Sequence, residues 1–161
     1  MTVDPVSRLA ACSAAEFANA EFVLVGGVTP GIATASSTVA ASYAVFDASL
    51  LAGGADRAAA ALGRVEIFLY PRSLLIEGLN RMEIANGRRQ RGAGRRLIQA
   101  MAATAPDFKL NIYDIRPAAL DFWIALGCTF RPRQSGWDAS YALPASLRPT
   151  APDRFEAMLR A

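Results

Sequence analysis

The stretch that decides the fold is MEIANGRRQRGAGRRLI, residues 82–98, which passes from a strand pattern through a glycine-rich turn into a helix. Glycines at positions 92 and 94 allow the backbone to approach a ligand closely. The helix that begins there directs unpaired N–H groups and the positive end of its dipole toward whatever lies in front of it. The pattern therefore predicts a cradle for an anionic group such as a phosphate.

The residues after the turn favour an amphipathic helix. Leu97 and Ile98 begin an apolar face at helical spacing, and Arg95 and Arg96 fall on the opposite face. Pro106 is expected to end the helix. The alternative interpretation is an ordinary strand-turn-helix junction whose glycines only relieve steric crowding.

Length and composition indicate one folded domain. The chain has 161 residues, enough for a single core, and we predict one domain over residues 1–161 with an atypical segment over 1–63. Hydrophobic residues make up 53% and charged residues 19%, which is typical of a folded protein rather than a disordered one. This composition also leads us to expect a chain that folds alone or as a homodimer. Because no apolar run reaches membrane-spanning length, we expect a cytoplasmic protein without a membrane partner.

Histidine is absent from the sequence, and its absence excludes several kinds of chemistry. No imidazole base, histidine metal ligand, Ser-His pair or Cys-His pair is available. Cys12 and Cys128 are too far apart to favour a zinc site or a disulfide framework, so no metal is expected. A base in this protein is therefore an aspartate, a glutamate, a tyrosine, Lys109 or a held water molecule.

After residue 64 the sequence predicts strands and helices in a regular order. In chain order these are strands over 64–70 and 75–85, the helix after the glycine turn, a strand over 108–114, a helix from Pro117 to Gly127 and a hairpin over 128–133 and 137–143.

The first 63 residues and the C-terminus carry weaker signals. The expected elements are a short helix from a capping box at Ser13 to Glu16, a strand over 22–25 stopped by Gly26-Gly27, helix or strand within 36–51, a helix over 58–62 and a C-terminal helix from Pro152.

Arginine is concentrated around the glycine turn. Residues 81–100 hold six arginines and one acid, a net charge of +5, whereas the whole chain carries +3. A helix N-terminus disfavours cations, so these side chains make physical sense when a polyanion lies among them. The alternatives are a solvated helix start and a patch for the phosphate backbone of nucleic acid. Nucleic acid is the less favoured partner because no aromatic residue interleaves the arginines as a stacking platform.

Two motifs at a matching separation resemble the GNAT superfamily of N-acetyltransferases. Arg89-Gln90-Arg91-Gly92-Ala93-Gly94 fits R/Q-x-x-G-x-G/A, the acetyl-CoA pyrophosphate signature of that family. Residues 116–130 keep Ala119, Phe122 and Gly127 of a second family pattern, N-x-x-A-x-x-F/L-Y-x-x-x-G-F. The order of predicted elements over residues 75–143 is similar to the acetyl-CoA half of the family's domain.

The resemblance implies an α/β (α+β) fold, with a mixed, mostly antiparallel sheet of about six or seven strands flanked by helices. It implies acetyl-CoA as the co-substrate and a small-molecule or macromolecular amine as the acceptor. The N–H of Ile84, or of the residue beside it, would polarise the thioester carbonyl. The residues that the resemblance assigns to the cofactor are Met82, Ile84, Arg89, Gln90, Arg91, Gly92, Ala93, Gly94, Arg95, Arg96 and Trp123.

The sequence departs from the family where the catalytic acid is expected. Trp123 stands in place of the tyrosine that protonates the departing thiolate, and an indole N–H is not an acid. Arg116 stands in place of the usual asparagine. Tyr113 and Tyr141, on adjacent predicted strands, are the candidate replacements for the missing acid.

The candidate general base is Glu83, on the strand that precedes the turn, and Glu77 lies further up that strand with the same side-chain parity. The alternative for both is a solvent-facing acid paired with a nearby arginine. Together the motifs favour an acetyl-CoA-dependent N-acetyltransferase. Trp123 keeps open a catalytically weak or inactive GNAT-like module that binds CoA or a partner, and the arginines keep open a tRNA-directed acetyltransferase.

Overall fold

The computed structural model describes residues 15–18, 21–33, 38–70, 76–85, 92–147 and 156–157. Within these ranges the elements are β1 (Ala15–Ala18), β2 (Phe22–Ala33), β3 (Val39–Asp47), α1 (Ala48–Ala52), α2 (Arg57–Ala60), β4 (Ala61–Leu69), β5 (Ile76–Ile84), α3 (Ala93–Ala103), β6 (Leu110–Ile115), a 3₁₀ turn (Pro117–Ala119), α4 (Leu120–Leu126), β7 (Thr129–Arg133), β8 (Gly136–Tyr141), a second 3₁₀ turn (Ala145–Leu147) and β9 (Glu156–Ala157).

The strands form one sheet in the order β7-β8-β6-β5-β4-β3-β2-β1-β9. Neighbouring strands are antiparallel except for β5 and β6, which are parallel and are connected through α3. The predicted mixed, mostly antiparallel sheet flanked by helices is therefore confirmed. The seven strands from β2 to β8 form its main part, and the short strands β1 and β9 extend one edge. The predicted hairpins β4–β5 and β7–β8 are also confirmed.

The strands β2, β3 and β4 pair along most of their length. In β3 the side chains of Val39, Ala41 and Tyr43 are buried, and those between them are partly exposed, as expected for a strand with one face on the core. Gly26 of β2 lies so close to β3 that a Cβ there would stand 2.0 Å from the Ser42 carbonyl oxygen. The approach of the two backbones therefore requires a glycine at this position.

The strand β5 departs from this regular pairing. Glu77 and Asn80 are the extra residues at two irregularities in its register with β4. On its other side, β5 pairs with β6 at two described register positions, Gly78 with Asn111 and Leu79 with Ile112. Beyond these pairs the two parallel strands separate, and a gap opens between their C-terminal ends.

The helices α3 and α4 pack against each other and against the sheet. α3 buries Leu97, Ile98 and Met101 in the core, which confirms the predicted apolar face. α4 contributes Trp123 to the same core. Gly127 ends α4 as predicted, with a φ of 86° that residues with a side chain rarely adopt. Among the described residues, no helix is long and apolar enough to cross a lipid bilayer.

Several predictions for the chain termini and the first half need correction. Residues 15–18 form β1 and not a helix, because pairing with β2 outweighs the local capping signal. β2 continues through Gly26-Gly27 to Ala33 and does not stop there. The helix-or-strand alternative left open within 36–51 is the strand β3 followed by the short helix α1. The helix expected over 58–62 is the shorter helix α2. Glu156–Ala157 pair with β1 as a strand, so a C-terminal helix there is wrong, while Ser13 and Pro152 lie outside the described residues.

Candidate functional site

The glycine turn leads into a helix N-terminus that has no side-chain cap. Gly92 precedes α3 with a left-handed φ of 71°, and the first turn holds no acidic residue. The first helical hydrogen bond runs from Arg96 N to Gly92 O at 3.1 Å, so the N–H groups before Arg96 have no acceptor within the helix. The predicted residues Arg89, Gln90 and Arg91 lie outside the described part of the chain.

A cavity of about 850 Å³, which we call the cradle cavity, has this helix end as one of its walls. The C-terminal part of β5 and the start of α4 form other walls. A site of this size at an uncapped helix N-terminus suits a ligand that carries an anionic group. Of the predicted cofactor residues, the following line it: Met82, Ile84, Gly92, Gly94, Arg95 and Trp123. Ala93 is buried and is not part of the lining.

The two predicted arginines of α3 point to different surroundings. Arg95 lines the cradle cavity, and its Nη2 donates to the Ala125 carbonyl oxygen of α4 at 3.1 Å. Arg96 forms an ion pair with Glu21 and does not line this cavity. Of the two, Arg95 is therefore the one placed to contact a ligand.

Two further arginines, Arg64 and Arg116, line the cradle cavity although neither motif includes them as ligands. Arg116 was visible in the sequence as a departure from the second motif. Arg64 lies opposite Glu83 in the register of β4 and β5, and that pairing is a long-range contact without a local sequence signal.

A second cavity of about 360 Å³, the splay cavity, has residues from both sides of the gap between β5 and β6 in its lining. Its charged residues are of both signs: Glu66, Arg81, Glu83, Asp114 and Arg116. It shares five lining residues with the cradle cavity: Met82, Glu83, Arg116, Ala119 and Trp123. We call this shared set the junction. The two cavities therefore adjoin at these residues.

Asp114 is a residue of the splay cavity that the sequence did not single out. Its φ of 51° is unusual for a residue with a side chain. Its backbone N–H donates to the Asp138 carboxylate at 2.8 Å, and its own carboxylate lies 3.5 Å from Arg133. These contacts hold the backbone of Asp114 near the end of β6.

Glu83, the predicted base, lies at the junction. Its side chain is exposed, and the Arg81 Nε is 3.8 Å from its carboxylate. Trp123, the predicted cofactor residue, lies at the junction as well and is 5% exposed. The Phe122 ring packs edge-on against its indole, with 4.8 Å between ring centroids. The structure therefore brings these two residues together at the junction.

Tyr113 lines the splay cavity, but its hydroxyl proton is already engaged. The hydroxyl donates to Glu77, which also accepts from Asn111 Nδ2 at 3.1 Å. Burial, and then the hydrogen bond to Glu77, raise the pKa of Tyr113 above its ordinary value. The ring lies over Gly78, where a Cβ would stand 2.6 Å from Tyr113 Cε2. Glu77 is thus held by neighbours in β6 and does not line either cavity.

Tyr141 lies on the strand adjacent to that of Tyr113, as predicted, but on the opposite face of the sheet. It pairs with Leu110, three residues from Tyr113, so strand alternation places the two tyrosine side chains on different sides. Its hydroxyl forms a hydrogen bond with Gln99 of α3, and burial raises its pKa. Tyr141 lines neither cavity.

The described residues contain neither an activated cysteine thiol nor a metal-binding cluster. Burial raises the pKa of the Cys128 thiol to about 11, so it is protonated near neutral pH. Within the described ranges, no group of three or more histidine, cysteine, aspartate or glutamate side chains could hold a metal ion. Cys12 lies outside these ranges.

Comparison with known proteins gives a structural similarity but no family match. No model of a known protein family matches the sequence, and no curated protein matches it. Among solved structures, an acetyltransferase from Thermus thermophilus is similar, with 20% sequence identity and a TM-score of 0.44 over 63% of this chain. This chain spans 62% of the length of that acetyltransferase chain.

Proposed function

We propose that this chain is a single-domain N-acetyltransferase of the GNAT superfamily, which transfers an acetyl group from acetyl-CoA to an amine. The observation that carries the proposal is the uncapped start of α3 at Gly92, in the wall of a cavity that adjoins the gap between β5 and β6. Such an N-terminus binds phosphate through its N–H groups and its dipole. A separated pair of parallel strands leaves room for a thioester and an amine to meet.

The residues of the cradle cavity suit the anionic part of CoA. Arg64, Arg95 and Arg116 add three positive charges to the N–H groups of α3, and its first turn has no carboxylate to repel a phosphate. Gly94 brings the backbone of α3 near Phe122 and Met82, where a Cβ would stand 3.4 Å and 3.5 Å from their side chains. The helix therefore lies close to the junction, where the acyl end would be held.

Bound acetyl-CoA would supply the acyl group as a thioester, and the chain's residues would position and activate the amine. In the proposed reaction Glu83 accepts a proton from the amine, directly or through water. A backbone N–H near the end of β5 polarises the carbonyl. The Ala85 N–H donates to Leu62 O at 2.7 Å and is excluded from that role. Catalysis then consists mainly of orientation.

Calorimetric titration with CoA and acetyl-CoA tests the site. The wild-type chain is expected to bind both at sub-millimolar concentration, and Gly92→Glu is expected to weaken binding at least about tenfold, because a carboxylate repels the pyrophosphate. Gly54→Glu is the matched control, since Gly54 also has a positive φ, of 89°, and a Cβ there meets no atom within 4 Å. Absence of binding to the wild type, or equal binding by Gly92→Glu, contradicts the proposal.

A second candidate function is a GNAT-like module that binds CoA without turnover. It is favoured by Trp123 at the junction and by the engagement of the Tyr113 hydroxyl with Glu77. A panel of amines, assayed for release of free thiol from acetyl-CoA, separates the two functions. Thiol release that Glu83→Gln abolishes supports the enzyme, whereas tight CoA binding without release from any amine supports the binding module. Displacement of bound RNA by CoA would instead favour a tRNA-directed acetyltransferase.

A further inference from the structure

The junction of the two cavities lacks a free tyrosine hydroxyl among the described residues. The Tyr113 hydroxyl donates to Glu77, and Tyr141 faces Gln99 on the other side of the sheet. Trp123, which is at the junction, has an indole N–H that donates a hydrogen bond but does not give up its proton. A thiolate that leaves at the junction therefore needs a different kind of stabilisation.

Arg116 supplies a cation at this position. It lies at the end of β6, directly before Pro117, and its side chain is exposed and lines both cavities. The side-chain hydrogen bonds and ion pairs of the described residues do not involve its guanidinium. Arg81 lies beside Glu83, Arg95 donates to the Ala125 carbonyl oxygen, and Arg64 lines the cradle cavity but not the junction. Arg116 thus keeps its donors available for a ligand, and its guanidinium carries a positive charge.

We propose that Arg116 stabilises the departing CoA thiolate as an ion pair, in place of the proton that a tyrosine would provide. This inference rests on the proposed acetyl transfer. The amine nitrogen forms a C–N bond with the thioester carbonyl carbon, the C–S bond breaks, and its electron pair leaves with the sulfur. The proton of the amine passes to Glu83 or to water, and the thiolate takes up a proton from solvent after it leaves Arg116.

The titration of bound CoA tests this role without an acceptor amine. The thiolate absorbs in the ultraviolet more strongly than the thiol, so its midpoint can be measured in complex with the protein. With the wild type, the midpoint is expected to fall below that of free CoA by about one pH unit or more, as an opposite charge nearby dictates. Arg116→Gln should restore the midpoint of free CoA, and Arg116→Lys should keep part of the shift. Arg57→Gln is the matched control, because Arg57 packs over the Phe46 ring and lines neither cavity.

Kinetics give a second readout. Arg116→Gln is expected to lower kcat by about tenfold or more while the KM for acetyl-CoA changes much less, since the ion pair forms as the thiolate leaves. The wild-type kcat should show no alkaline decline from a tyrosine acid.

The outcomes separate the two proposals. If CoA binds but its thiol titrates alike in wild type and Arg116→Gln, the role of Arg116 is overturned while the CoA site stands. A midpoint that moves in Tyr113→Phe and not in Arg116→Gln also overturns it, in favour of the tyrosine. If the wild type binds no CoA, the proposed function itself fails, and calorimetry shows this before any titration.

Discussion

The strands β2 to β4 and the ends of β5 and β6 are parts of one sheet, but they are built in opposite ways. β3 pairs with β4 continuously from Val39 to Val45, and Gly26 lets β2 approach β3 to within backbone contact. β5 and β6, by contrast, have two described register pairs and then separate. The first region stabilises the fold, and the second leaves backbone and side chains open to a ligand.

This difference explains where charged residues are placed. A paired strand buries every second side chain, so a carboxylate or guanidinium has no place on its core face. At the separated ends, Glu83, Asp114 and Arg116 all line the splay cavity and remain in contact with solvent. Relaxed strand pairing therefore creates the site, and the tight block beside it keeps the separated strands in position.

The largest effect that we expect comes from adding one methyl group to the tight region. In Gly26→Ala the new Cβ would overlap the Ser42 carbonyl oxygen, a backbone atom that cannot move freely, so the free energy of unfolding should fall by about 3 kcal/mol. Gly94→Ala is the matched change near the site, where the nearest side-chain atoms lie at 3.4 Å and alanine favours a helix. Urea denaturation should show Gly94→Ala near wild type; equal losses would contradict the comparison.

The same comparison shows why sequence predicted one region better than the other. α3 and α4 carry local signals: apolar spacing after Gly92 and a glycine at the left-handed position 127. In the strands β2 to β4, packing between strands determines the structure. Gly26, which looks in the sequence like a strand stop, is the residue that allows β2 to lie close to β3. The capping box before residue 16 was likewise overruled by pairing with β2.

The site was predictable to the extent that it follows from the motifs. Gly92, Gly94 and Trp123, which the motifs single out, all line the cradle cavity, because the turn and helices that hold them are local structures. The faces of Tyr113 and Tyr141 depend on the register of β6 with β8, which contains a shift after Ile112. Such a long-range pairing leaves no pattern in the sequence.

The second-largest effect concerns the arginines of the cluster. Arg95→Ala should weaken CoA binding by about 1–3 kcal/mol, because its guanidinium lines the cradle cavity and a hydrogen bond to a charged group would be lost. Arg91→Ala is expected to have a similar effect from its place in the motif. Arg96→Ala should weaken CoA binding by well under about 1 kcal/mol, because Arg96 forms an exposed ion pair with Glu21 and does not line the cradle cavity. Calorimetry that shows equal losses for all three, erased by moderate salt, would indicate a diffuse charged patch instead.

A smaller effect is expected in the pH dependence of stability, at Cys128 just after α4. Burial raises the pKa of Cys128 from 9.0 to about 11, so the folded state favours the neutral thiol. Its contribution to stability is therefore complete below pH 9 and is lost as the pH rises toward 11. Partial solvent exposure reduces this contribution to about 1 kcal/mol. Unfolding measured across this range should decline more steeply for wild type than for Cys128→Ala. Parallel curves would show that the thiol is not buried.

The smallest effect on stability is expected at the residue with the largest proposed role. Glu83 is exposed at the open end of β5, and its pair with Arg81 spans 3.8 Å with both side chains about half accessible. An ion pair of this kind contributes little, so Glu83→Gln should change the free energy of unfolding by less than about 0.5 kcal/mol. If Glu83 is the base, thiol release with an amine substrate should nevertheless fall sharply while CoA binding is kept. A stability loss well above that figure would mean that the separated strand end is part of the structural block, and full activity would remove Glu83 from the reaction. The amide of glutamine keeps the size of the side chain and removes only its basicity. The two measurements together therefore distinguish a residue that takes part in the reaction from one that only stabilises the fold.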